Sequence, residues 1–187
     1  MRLFVALDVP EDVRETLGEL IARLKPMCRE ARWVKPEAMH VTLKFIGHVE
    51  ATTLGSIREA LATVRLQGPV EMRFRGARFF PSERFPRVLA SEVEASPNAG
   101  ELAAEIERTL VPLGVPAEGR AFVPHLTLAR LKSGEETEAL VKAASEMAAR
   151  DFGKAKAMEF HLFESFLRPS GAEHRRVESY PLMKAAT

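Results

Sequence analysis

The chain of 187 residues has a single cysteine, Cys28. That excludes an intrachain disulfide and leaves a zinc site built on thiolates without its ligands. Cys28 falls at a helix end and reads as a structural thiol rather than a nucleophile. Net charge is also scarce: 27 basic against 26 acidic residues leave +1, too little for a global field that would hold a long polyanion. Any contact with nucleic acid must therefore be local. Nowhere do 18 apolar residues run together, which excludes a membrane-spanning helix. The start lacks the apolar run and small-residue cleavage site of a secretory signal, so the cytoplasm is the expected compartment. No HExxH and no acid cluster occur, so chemistry without a metal is expected.

What is present is an ordinary globular composition, 46% hydrophobic and 28% charged, long enough for one generous domain or two small lobes. A short motif occurs twice: His40-Val41-Thr42-Leu43 and His125-Leu126-Thr127-Leu128, with the histidines 85 positions apart. The apolar and β-branched content predicts a strand for each copy. Side chains of a strand alternate, so His and Thr share one face while Val41, Leu43, Leu126 and Leu128 point to a core. A single strand histidine reads as structural; a doubled His-x-Thr at corresponding places reads as functional.

The surroundings repeat as well. Residues 2–8 predict a strand, and Pro10-Glu11-Asp12 open a helix with Val13, Leu17, Leu20, Ile21 and Leu24 on one face, ended by Pro26. After a 33–36 connector comes the first motif strand, stopped by Gly47, then a helix over 52–64. Strands over 72–80 and 87–93 form an antiparallel pair. Ser96-Pro97 cap a third helix carrying Leu102, Ile106 and Leu110. A loop over 112–119 and Pro124 lead to the second motif strand, followed by a helix over 136–149. Strands over 158–167 and 175–182 close around Pro169-Ser170-Gly171. Shifted by 85, Leu17 falls on Leu102 and Ile21 on Ile106. The expected fold class is α+β, a bilobal pseudo-twofold duplication, with the two histidines facing each other across a cleft in one two-lobed domain over 1–187.

Two imidazoles and two hydroxyls so placed suit in-line displacement at phosphorus. Histidine titrates near neutrality, so one ring takes a proton from water while the other gives one to the leaving oxygen. Thr42 and Thr127 would donate hydrogen bonds to phosphate oxygens. Lys44 shares the alternating face of His40 and Thr42 and is a candidate phosphate helper. Phe45 and Arg130 lie five residues after each histidine. Strict alternation turns both away, and only a bulge or strand end would bring them to the rim, where Phe45 would stack a base and Arg130 would contact base or phosphate. His48, His161 and His174 read as structural or surface residues. Phe79-Phe80 read as sheet packing, with a rim aromatic for RNA as the alternative.

At these motifs the chain resembles the 2H phosphoesterase superfamily, and within it the LigT-like RNA 2′,3′-cyclic phosphodiesterases, also called 2′-5′ RNA ligases. The stretches RLFVALDVPEDVRETL, WVKPEAMHVTLKFIGHV, FVPHLTLAR and FHLFESFLRPSGAEHRRVESYPL carry the likeness over essentially the whole chain. The resemblance implies two lobes, each an antiparallel sheet with helices packed outside, and a site in the groove between. It implies metal-independent hydrolysis of an RNA terminal 2′,3′-cyclic phosphate to a 2′-phosphomonoester, with no cofactor. His40 and His125 are then catalytic, His40 as acid to the leaving 3′ oxygen and His125 as base on water, with Thr42 and Thr127 binding phosphate. The family pattern often has Arg before the proline of the second motif, whereas this chain has Val123 there. Three alternatives stand beside this reading: 2′-5′ ligation by the reverse reaction, action on small cyclic nucleotides, and a non-catalytic RNA-end binding module. The expected partner is an RNA end, with no membrane, and the expected state is a monomer.

Overall fold

A computed structural model describes residues 1–132, 137–169 and 171–183. In chain order the elements are β1 (Arg2–Leu7), α1 (Glu11–Leu24), β2 (Arg32–Trp33), β3 (Val41–His48), α2 (Leu54–Leu61), β4 (Val70–Phe80), β5 (Val88–Ala95), α3 (Asn98–Leu110), β6 (His125–Arg130), α4 (Glu138–Glu146), β7 (Asp151–Ala157), β8 (Glu159–Arg168) and β9 (Gly171–Pro181). They build two antiparallel sheets, one ordered β3-β1-β8-β9 and the other β2-β6-β5-β4-β7. No helix among the described residues is long and apolar enough to cross a membrane.

The helices follow their apolar stripes. In α1, Val13, Leu17, Leu20, Ile21 and Leu24 are all buried, and Glu11 and Asp12 occupy the first turn, at the positive end of the helix dipole. A 3-10 turn over Lys25–Met27 containing Pro26 ends it. α2 is shorter than the 52–64 expected. Residues 51–53 form a 3-10 turn before it, and Thr63 and Val64 after it bond to carbonyls three residues back. α3 buries Leu102, Ile106 and Leu110, but the Ser96 hydroxyl does not cap it. It donates to Asn98 Oδ1 and accepts from the Glu71 N–H, joining the helix start to β4. For α4, the expected start at 136 lies outside the described residues.

The two sheets do not coincide with the two halves of the sequence. β4 closes the first half-repeat but pairs with β5, and β8 closes the second but pairs with β1. Each half thus lends its last strand to the sheet that begins with the other half's first strand. The helices cross too: α1 packs against β7 and α4 against β4, whereas α3 packs against β3 and α2 against α3. β7 was absent from the expected elements. Its sequence, DFGKAKA, carries two lysines and a glycine, the composition of a protected edge strand, and an edge is where it lies.

Three irregularities of register matter for the cleft. Opposite β1, residue Leu43 of β3 is unpaired, because Val5 pairs with Lys44 and Ala6 with Thr42. Opposite β5, Leu128 of β6 is unpaired, because Leu89 pairs with Ala129 and Ala90 with Thr127. These are β-bulges, each one extra residue that inverts the alternation downstream. They fall at the same place in both motifs, three residues after the histidine. Further along, β3 does not stop at Gly47 as expected; it runs through that residue, whose φ of 89° suits glycine, past a third irregularity at Ile46.

Candidate active site

Each motif histidine is oriented by main chain. His40 Nδ1 lies 2.8 Å from the Ala38 carbonyl oxygen, and His125 Nδ1 lies 2.9 Å from that of Val123. A carbonyl only accepts, so in both rings Nδ1 carries the hydrogen and Nε2 is left as the atom that exchanges protons. The geometry has a local cause. A 3-10 turn over Pro36–Ala38 delivers His40, and Pro124 precedes His125, so the carbonyl two residues back meets each ring. Thr42 and Thr127 are half-buried, and among the described residues neither hydroxyl is engaged by another protein group.

The bulges decide the rest of the strand faces. Leu43 and Lys44 are consecutive buried residues, as are Leu128 and Ala129. Phe45 and Arg130 are thereby returned to the side of His and Thr and are exposed, Phe45 at 55%. Both lie at the rim.

Lys44 is the correction. The Leu43 bulge turns it inward, where its Nζ donates to Glu107 Oε2 at 2.9 Å and to the Pro116 carbonyl at 2.7 Å. It ties β3 to α3 and faces away from the cleft. The hydrogen bond from Lys44 holds the Glu107 carboxyl below the usual carboxylate range, aided by the Glu118 N–H.

The two imidazoles sit in different surroundings. His40 lies against Phe4, with ring centroids 4.6 Å apart, and meets His174 edge-to-face at 5.0 Å. Burial pushes its pKa down to about 4, the Ala38 hydrogen bond opposes this, and the nearby charges of His174, Arg130 and Arg14 add to it. β3 and β6 approach one another, which brings the Arg130 charge within range of His40. His125 instead packs beside Phe80, 5.1 Å between centroids, with Glu92 its direct partner across β5. Of the Phe79-Phe80 pair, Phe79 is in the core and Phe80 in the cleft.

His174, read from the sequence as structural or surface, packs against His40. Its ring stands 4.9 Å from that of Phe4, and its buried Nδ1 has no hydrogen-bond partner among the described residues. With His40, Phe163, Asp8, Arg14 and Glu37 it lines a cavity of about 30 Å³, room for one water. No periodicity in the sequence marks His174. Only the strand order β3-β1-β8-β9 carries it toward His40. His161 is buried, with Nδ1 on the Ser179 hydroxyl at 2.9 Å and Nε2 3.6 Å from Asp8, a structural residue of the first sheet. His48 lines a larger hollow of about 470 Å³ between the end of β3 and residues 113–116, which none of the motif residues reaches. Among the described residues, no three His, Cys, Asp or Glu side chains gather as metal ligands.

Two antiparallel sheets, each carrying one backbone-oriented histidine and one free threonine on strands that approach one another, repeat the same unit in both halves of the chain. The model of the LigT-like phosphoesterases matches twice in tandem, over residues 7–90 and 91–172, and the chain belongs to that family. It is similar to an RNA 2′,3′-cyclic phosphodiesterase of Methanothermobacter thermautotrophicus, 31% identical over 97% of this chain and 99% of that one. A protein of the same description from Archaeoglobus fulgidus is 34% identical, over 91% and 94%. A crystal structure of a Thermus thermophilus protein superposes with a TM-score of 0.80 at 29% identity, over 97% and 98% of the two chains.

Proposed function

We propose that this protein hydrolyses the terminal 2′,3′-cyclic phosphate of an RNA to a 2′-phosphomonoester, using His40 and His125 as acid and base. The observation that carries the reading is the doubled unit: one imidazole oriented through Nδ1 by a main-chain carbonyl and one free hydroxyl, presented by each of two equivalent strands. The activity assigned to relatives across nearly the whole length supports it.

In the proposed step a water oxygen attacks phosphorus and the P–O3′ bond breaks. One Nε2 accepts the water proton, and the other imidazolium gives its proton to O3′. The Thr42 and Thr127 hydroxyls donate to the non-bridging oxygens, whose charge grows in the transition state. Every group in this route comes from one chain, so a monomer suffices, and the route passes through no metal or cofactor. Ligation to a 2′-5′ bond is the same step reversed, and bulk water opposes it by mass action.

The division of roles has a direct test. The neutral His40 of the free cleft suits the base; His40 as acid requires the substrate's negative charge to restore its proton. 4-Nitrophenolate leaves a 4-nitrophenyl phosphodiester without needing a proton, so the acid variant, His40→Ala or His125→Ala, keeps turnover on that ester and the base variant does not.

The function itself is tested with an oligoribonucleotide ending in a 2′,3′-cyclic phosphate, in EDTA. Wild type should form the 2′-phosphate, and each alanine variant should lose about 10²–10⁴ in kcat. No turnover by wild type between pH 5 and 9 would sink the proposal.

A further inference from the structure

Four residues on neighbouring strands make one row across the second sheet. Phe80 of β4 pairs with Val88 of β5, Val88 with Arg130 of β6, and Arg130 with Arg32 of β2. Directly opposed residues share a face, and Phe80 beside His125 shows that this is the face that carries His125. The row starts beside His125 and ends at Arg32, exposed on the sheet edge.

Arg32 and Arg130 are like charges in opposed positions, an arrangement that weakens a sheet. Elsewhere on this sheet strand arginines are matched by a carboxylate on the neighbouring strand: Arg73 by Asp151, Arg75 by Glu94, Arg78 by Glu92. Among the described residues, Arg32 and Arg130 have no such match. At the other end of the row, the 81–87 loop carries Phe85, 65% exposed, with the Arg84 guanidinium 5.4 Å over its ring. Unpaired guanidinium groups are what a single-stranded nucleic acid uses for its phosphates, and exposed aromatic rings for base stacking.

We propose that Arg32 and Arg130 form a second phosphate subsite, holding the phosphodiester of the nucleotides that precede the cyclic end. The inference rests on the cyclic-phosphodiesterase reading and sharpens its substrate class: a strand end, running over the β2 edge, rather than a free cyclic nucleotide.

The test compares a cyclic mononucleotide with a tetranucleotide ending in the same cyclic nucleotide, across salt concentrations, for wild type, Arg32→Gln and Arg32→Glu. Wild type should prefer the tetranucleotide. Arg32→Gln should reduce that preference and make the salt slope of log kcat/KM for the tetranucleotide shallower by about 0.7, the value of one single-strand phosphate contact; Arg32→Glu should reduce the preference further. An unchanged slope and preference, or an equal loss on both substrates, would overturn the subsite. Should wild type hydrolyse neither, the phosphodiesterase reading fails separately. The subsite is then judged by fluorescence anisotropy of a labelled 2′-phosphate-ended tetranucleotide: a shallower salt slope for Arg32→Gln supports it, and an identical slope rejects it.

Discussion

Protonating His40 means placing a cation against Phe4 and His174, within reach of the Arg130 and Arg14 charges. The unfolded chain carries no such penalty and takes up that proton near pH 6.5. Below that pH the unfolded state binds a proton the folded state refuses, so stability is complete above about pH 6.5 and falls as pH drops toward 4. The loss from this residue is about 3 kcal/mol at most. His161 and His174, both pushed down by burial, act in the same direction. Chemical denaturation from pH 4 to 8 should show a steeper decline for wild type than for His40→Gln, and NMR titration should put His40 near 4. A His40 titrating near its ordinary value would remove both expectations.

At the scale of single elements, the Leu43 bulge of β3 exchanges the positions of two side chains. Lys44 becomes an internal strut to Glu107, and Phe45 becomes a rim aromatic. Lys44→Met should keep cyclic-phosphate hydrolysis, because the ammonium is not at the phosphate. Glu107→Ala strands a buried charge and should cost about 3–5 kcal/mol; thermal melts of the two variants, with activity assays beside them, check the pair. Loss of activity in a stably folded Lys44→Met would place the lysine back in the cleft. The bulge was not legible in the sequence. Val41-Thr42-Leu43 alternates faultlessly, and Leu43 and Leu128 look like ordinary inward residues until the register is known. The helical stripes of α1 and α3 were legible, since repeated apolar spacing leaves one face to bury; the recurrence of the motif singled out His40, Thr42, His125 and Thr127 as candidates. β7 was hidden by its edge-strand lysines, and His174 by a contact that exists only once four strands are ordered.

On the scale of the whole molecule, exchange of β4 and β8 means that neither half-repeat can complete a sheet alone. Residues 1–87 and 88–187 produced separately should each lack a cooperative thermal transition, while the intact chain melts once. Trp33, the sole tryptophan, lies in the second sheet and Tyr180 in the first. Their fluorescence and the far-ultraviolet signal should therefore give one coincident midpoint. Separate midpoints, or a half that melts cooperatively alone, would mean that the lobes are independent units.

The carbonyls of Ala38 and Val123 have a consequence for how such a site tolerates change. Catalytic histidines are often steadied by a carboxylate, which a single substitution can delete. Here the steadying oxygen belongs to the peptide backbone, so replacing either side chain leaves it in place. Alanine and valine, unlike in shape, serve equally. The tautomer of each histidine is thus vulnerable only to whatever bends the chain before it, and a search for exchangeable partner side chains would pass over the group that fixes it.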